Sequence, residues 1–88
     1  MKPTHDELLE KFQLAFPQAS ILLEDESHLH IGHPGAGHFR VKMIDDIFDK
    51  LQIISRHRLV YNSVLDWMPE QVHVLNIVTM TTEEVRKL

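Results

Sequence analysis

Leu8, Leu9, Phe12, Ala15 and Phe16 recur at the spacing of one helix face, while Glu7, Glu10, Lys11 and Gln13 fall on the other. Thr4 followed by Glu7 is a capping-box pattern that starts this helix, and Pro17 stops it. A helix apolar on one side needs a sheet to cover. Ser20 to Glu26 supplies a short strand, with Ile21 and Leu23 on one face and Leu22 and Glu24 on the other. From Ser27 to Gly37 the chain turns to His, Gly and Pro, a loop composition. Phe39, Val41 and Met43 then alternate with Arg40, Lys42 and Ile44, a half-buried strand expected to pair with the first as an antiparallel hairpin.

Asp45-Asp46 ends that strand, and a short helical turn is expected near Asp46–Lys50. Leu51 through Met68 predicts a long helix with Ile54, His57 or Arg58, Tyr61, Val64, Leu65 and Met68 along one side, closed by Pro69. Val72 to Met80 is apolar on both faces, as a central strand would be. Thr81 and Glu84 repeat the capping-box pattern and open a short helix over Thr82–Leu88. The order α–β–β–α–β–α predicts a two-layer α+β domain, a three-stranded sheet with helices on one face. No linker or repeat interrupts it, so residues 1–88 are expected to form a single domain.

Composition narrows the function more than the fold. The 88 residues are 43% hydrophobic and 25% charged, ordinary for a globular domain near the lower size limit of a self-sufficient core. No apolar run is long enough for a membrane span, and the start Met-Lys-Pro-Thr-His-Asp lacks a signal-peptide core, so a cytosolic location is expected. There are no cysteines, which removes disulfides, thiol catalysis and any all-thiolate metal site made by this chain alone. A net charge of −4 argues against generic polyanion binding, although a local basic patch can oppose it. No G-x-S-x-G elbow or phosphate-binding Gly-rich loop is present, and the acidic pairs Asp25/Glu26 and Asp45/Asp46 place neighbours on opposite sides of extended chain. An enzyme is not expected, nor a small-molecule substrate.

Histidine is the unusual residue. There are seven, and His28, His30, His33 and His38 crowd into one stretch. His28 and His30 point the same way in extended chain, and the glycines around His33 allow folding back toward them. Imidazole suits zinc, copper, iron and nickel, so the loop reads either as a metal site, mononuclear zinc included, or as a solvated polar loop. His73 sits at the start of the otherwise apolar last strand, either half-buried with one backbone hydrogen bond or a ligand held near the hairpin loop. Arg56-His57-Arg58 is the one dense basic cluster; it could meet phosphates or an acidic partner, or one of the three could pack on the sheet. Gly32-His33-Pro34-Gly35 matches the G-x-x-G string of KH domains, but here it joins strands instead of helices.

Four blocks in order resemble the BolA family over roughly residues 5–85: Asp25-Glu26-Ser27-His28, His38-Phe39-Arg40-Val41, Ser55 to Tyr61 with its Arg-His-Arg run, and Val72-His73-Val74-Leu75-Asn76-Ile77. The resemblance implies a class II KH-like fold. It also implies a non-enzymatic partner of CGFS-type monothiol glutaredoxins, with a [2Fe–2S] cluster shared among the glutaredoxin cysteine, a glutathione thiol and side chains of this chain. The family's strand ligand falls on His73 and its loop ligand on His30, with His28 and His33 as substitutes. Some family members are described as transcriptional regulators, which implies a second reading: nucleic-acid binding through Arg56, His57 and Arg58. Where the family often carries Phe-x-Gly before the long helix, this chain has Phe48-Asp49-Lys50, and Val85 replaces a common tryptophan in the last helix.

Overall fold

Both capping boxes form as the spacing predicts. The Glu7 N–H donates to Thr4 Oγ1 at 3.1 Å while the Thr4 N–H donates back to the Glu7 carboxylate at 2.8 Å, and Thr81 and Glu84 repeat this at 3.1 and 2.8 Å. Between these fixed starts, a computed structural model describes residues 3–27, 37–68 and 72–88, and of His73 the backbone alone. In chain order it has α1 (His5–Ala15), β1 (Ser20–Asp25), β2 (Gly37–Ile44), a 3-10 turn (Asp46–Phe48), α2 (Ile53–Asn62), a second 3-10 turn (Leu65–Trp67), β3 (Val72–Met80) and α3 (Thr82–Arg86). Among the described residues no helix is long and apolar enough to cross a membrane.

The three strands lie in the order β1-β2-β3. β1 runs antiparallel to β2, with Leu23 opposite Val41, and β3 runs parallel to β2, with Ile77 opposite Val41. The central strand is therefore β2, and β3 is an edge, against the expectation from its apolar character. The hairpin places β1 on one side of β2, and the helical crossover brings β3 in parallel on the other. β3 is apolar on both faces for a different reason: Leu75 and Ile77 pack toward the core while Val74, Val78 and Met80 sit half-buried among the alternating positions.

One face of the sheet carries the core. Leu8 and Phe12 of α1, Phe16 at its C-cap, Val60 of α2 and Val64 just beyond it cluster with Leu23, Phe39, Val41 and Met43, so the helices lie on one side. On the other side Leu22, Glu24, Arg40 and Asn76 are exposed. Lys11 fastens the helical layer, its Nζ 3.1 Å from Asp66 and 4.7 Å from the Trp67 ring centre.

α2 departs from its sequence reading in length and in phase. It ends at Asn62, where Ser63 Oγ donates to the Val60 carbonyl at 2.6 Å and the chain tightens into the second 3-10 turn. Its buried stripe is Arg56 and Val60, continued by Val64 just past its end, while Ile54 is 57% and Tyr61 38% exposed. Counting Arg56 as a polar, outward position rotates the expected face, whereas an arginine stem can cover apolar surface.

Lys50 has φ 64°, the only non-glycine residue in the left-handed region among those described. It stands where the resembling family often has glycine, so the turn into α2 keeps a glycine conformation with a lysine in it. Lys50→Gly is expected to stabilise the fold by about 0.5–1 kcal/mol, the relief of roughly 1–2 kcal/mol of left-handed strain less the entropy a glycine gives up. The check is a urea midpoint above the parent's at unchanged slope; an unchanged or lower midpoint would mean that the lysine side chain compensates for its backbone.

Candidate functional site

The connection between β1 and β2 is pinched at its base. Ser27 N–H donates to Asp25 Oδ1 at 2.9 Å, Glu26 N–H donates to the His38 carbonyl at 2.7 Å, and His38 N–H donates to Ser27 Oγ at 3.0 Å. These bonds close residues 26–27 onto the start of β2. His38, 3% exposed, is buried at this base. His28, His30 and His33, and the Gly32–Gly35 string with them, lie outside the described residues, between β1 and β2.

β3 begins at the same end. Gly37 pairs with Val72 and His38 with Val74, so the register skips His73. That single-residue bulge distinguishes the first turn of the ladder from the regular pairing that follows. Bulges are enriched beside functional sites because the extra residue is freed from the strict alternation of the strand. The topology thus brings the backbone of His73 beside His38 and beside the base of the histidine-rich connection, although these positions are far apart in sequence. Proximity in sequence favours His28, His30 and His33 as a cluster, but only strand pairing adds His73.

The donor set decides which metals fit. Among the described residues no three His, Cys, Asp or Glu side chains are grouped closely enough to hold an ion. With no cysteine anywhere in the sequence, this chain offers imidazole nitrogen and not thiolate. That fits the histidine half of a mixed histidine–thiolate iron–sulfur centre or a borderline divalent ion, and does not fit an all-thiolate cluster.

The basic cluster divides. Arg56 is buried at 6% exposure: its Nε donates to the Leu51 carbonyl at 2.9 Å, and its two terminal nitrogens grip the Glu84 carboxylate at 2.6 and 3.1 Å. It locks the start of α2 to α3, so Arg56 is not part of an open basic patch, a correction to the sequence expectation. Arg58 is exposed and His57 half-buried, leaving Arg58 with Arg40 and Lys50 as separate surface cations. His5, another of the seven histidines, has a structural task, its Nε2 2.7 Å from the Leu23 carbonyl.

The Arg56 guanidinium and the Thr81 N–H together hold the Glu84 carboxyl down to about 2. A carboxylate depressed from 4.5 stabilises the fold in full above that value and loses its contribution as pH falls from 4.5 toward 2. Glu84→Gln keeps the capping-box geometry but removes the charge. The variant is expected to melt lower than the parent at neutral pH, with the gap closing by about pH 2. Thermal melts across that range check it, and a gap that stays constant would assign the loss to packing instead of charge.

The BolA-like protein family profile matches residues 12–84. The chain is 33% identical over 82 residues to the chloroplastic protein BOLA1 of Arabidopsis thaliana, an alignment covering 85% of this chain and 51% of that one. It is 32% identical over 76 residues to the DNA-binding transcriptional regulator BolA of Escherichia coli, covering 85% and 72%. Among solved structures it superposes on the BolA domain of SufE1 from Arabidopsis thaliana with a TM-score of 0.83, at 30% identity and with 96% and 98% of the two chains covered. The chain spans about half the length of BOLA1 and 23% of SufE-like protein 1 of the same plant.

Proposed function

Since this chain belongs to the BolA family, we propose that it is a non-enzymatic adaptor that binds a CGFS-type monothiol glutaredoxin and supplies histidine ligands to a shared [2Fe–2S] cluster. The observation that carries the reading is the meeting of the pinched β1–β2 connection with the bulged start of β3 at one end of the sheet. On this reading His73 gives one nitrogen and His30 the other, with His28 and His33 as substitutes, while the glutaredoxin cysteine and glutathione bring the thiolates. A cluster so held can pass electrons or be handed on, and histidine ligation raises its potential relative to all-thiolate clusters. The chain's own part is to hold two imidazoles at a rigid sheet end. Iron–sulfur cluster assembly, trafficking or iron sensing is the corresponding role.

A second reading, a DNA-binding regulator, takes support from relatives named DNA-binding transcriptional regulator BolA. Arg56 is committed to Glu84, and the net charge is −4, so this reading rests on Arg58 and the scattered cations Arg40, Lys42 and Lys50. The adaptor reading is the stronger.

The test mixes the chain anaerobically with a CGFS-type glutaredoxin, glutathione, ferrous iron and sulfide, and records visible circular dichroism. A cluster spectrum distinct from that of the glutaredoxin homodimer is expected. A spectrum that stays that of glutaredoxin alone overturns the adaptor reading and turns attention to DNA affinity, whose steep fall with salt would identify phosphate contacts.

A further inference from the structure

The two edges of the sheet are not alike. β1 is six residues long and carries Glu24 and Asp25, the short charged kind of edge that resists pairing with another chain. β3 is nine residues long, Val-His-Val-Leu-Asn-Ile-Val-Thr-Met, with no charged residue, no proline and no glycine, and among the described residues it pairs with β2 on one side only. Its composition is rich in β-branched residues and free of the devices that blunt an edge.

The strand is also close to a palindrome in character. About a two-fold axis through Asn76, an antiparallel pairing with a second copy sets Leu75 opposite Ile77, Val74 opposite Val78, His73 opposite Thr79 and Val72 opposite Met80. Most of these pairs are apolar against apolar, and none opposes like charges. The register is consistent with the faces as well. Leu75 and Ile77 both belong to the core side, and Val74 and Val78 both alternate with them, so the pairing joins core face to core face. A slip of one residue would set core-side positions against open-side ones. Asn76 lies on the axis and is exposed, where two amides can bond to each other.

We propose that the free edge of β3 is a self-association surface, pairing antiparallel about Asn76 with a second copy of this chain to make one continuous six-stranded sheet. The charge-free, self-complementary register selects a second copy over an unrelated peptide, because its apolar positions find apolar partners in its own sequence. The contact is a strip about 30 Å long at roughly 3.3 Å per residue, smaller than a standard interface, so the dimer is transient. This inference is independent of the glutaredoxin reading.

Sedimentation of the full chain at rising concentration tests it. A monomer–dimer equilibrium with a dissociation constant on the order of 100 μM is expected. Asn76→Lys places two like charges face to face on the axis and is expected to weaken the dimer at least about tenfold, with the monomer's far-UV spectrum unchanged because Asn76 is exposed. The absence of native cysteine gives a register test. Opposed residues have Cα atoms about 4.5–5.5 Å apart, inside disulfide reach, so Asn76→Cys is expected to cross-link to itself on mild oxidation. Val72→Cys, remote from the axis, and Leu14→Cys, 77% exposed on α1, are expected not to. A chain that stays monomeric at about 1 mM, a dimer indifferent to Asn76→Lys, or cross-linking no stronger at position 76 than at position 14 would each overturn the proposal.

Discussion

His73→Ala is expected to erase the mixed-cluster spectrum and leave that of the glutaredoxin's own cluster, while the variant chain still folds. Val72, the core residue at the start of β3, is fully buried and is left in place by this substitution. Outer-shell partners of metal ligands already cost about 10–100-fold in affinity when removed, and loss of a ligand itself is expected to exceed that. His30→Ala should act in the same direction, and His28→Ala or His33→Ala would do so instead if one of them is the loop ligand. The informative companion is His73→Cys. A thiolate can replace the imidazole, so cluster retention should recover, but the potential should fall on the order of 100 mV or more toward the all-thiolate range. Retention without a fall in potential, or an unchanged spectrum in His73→Ala, would remove His73 from the ligand set.

The largest effect on stability is expected at Phe39. It lies on the central strand, fully buried between the hairpin partner β1 and the parallel partner β3, facing both helices' apolar residues across the core. Phe39→Ala is expected to cost about 3–5 kcal/mol through lost burial and an unfilled cavity. A domain of this size holds only about 5–10 kcal/mol in total, so the variant should be partly unfolded near its growth temperature. Leu22→Ala, on the opposite face at 57% exposure, should change stability by no more than about 0.5 kcal/mol. Urea denaturation of the pair checks both, and a difference below about 1 kcal/mol between them would contradict the assignment of the two faces.

Short-range signals were the legible ones. Thr4 with Glu7 and Thr81 with Glu84 announce two helix starts because the capping bond spans three residues and depends on nothing distant. Phe39, Val41 and Met43 mark the buried face of β2 because alternation is a local property. Strand order was not legible: apolar residues on both faces of β3 fit a central strand equally well, and which edge of β2 it joins is decided by the crossover. Arg56 misled in a different way. A cation beside another cation reads as surface, and only the arrival of Glu84 from the far end of the chain makes its burial tolerable. At the candidate site, the individual histidines could be picked out, but the bulge that singles out His73 belongs to the pairing of β3 with β2 and has no signature in either strand alone.

The parallel pairing of β2 with β3 has a kinetic meaning. The hairpin of β1 and β2 can form early, since its two strands are neighbours in the chain, whereas β3 must return across the whole helical crossover before Gly37 meets Val72. The histidine end of the sheet is therefore completed by the longer-range of the two strand pairings. A ligand that grips both the β1–β2 connection and His73 acts as a clasp on that closure: it has nothing to hold in a half-assembled chain, and once bound it draws the whole folding equilibrium toward the native state. Occupancy of this end then reports that the domain is finished.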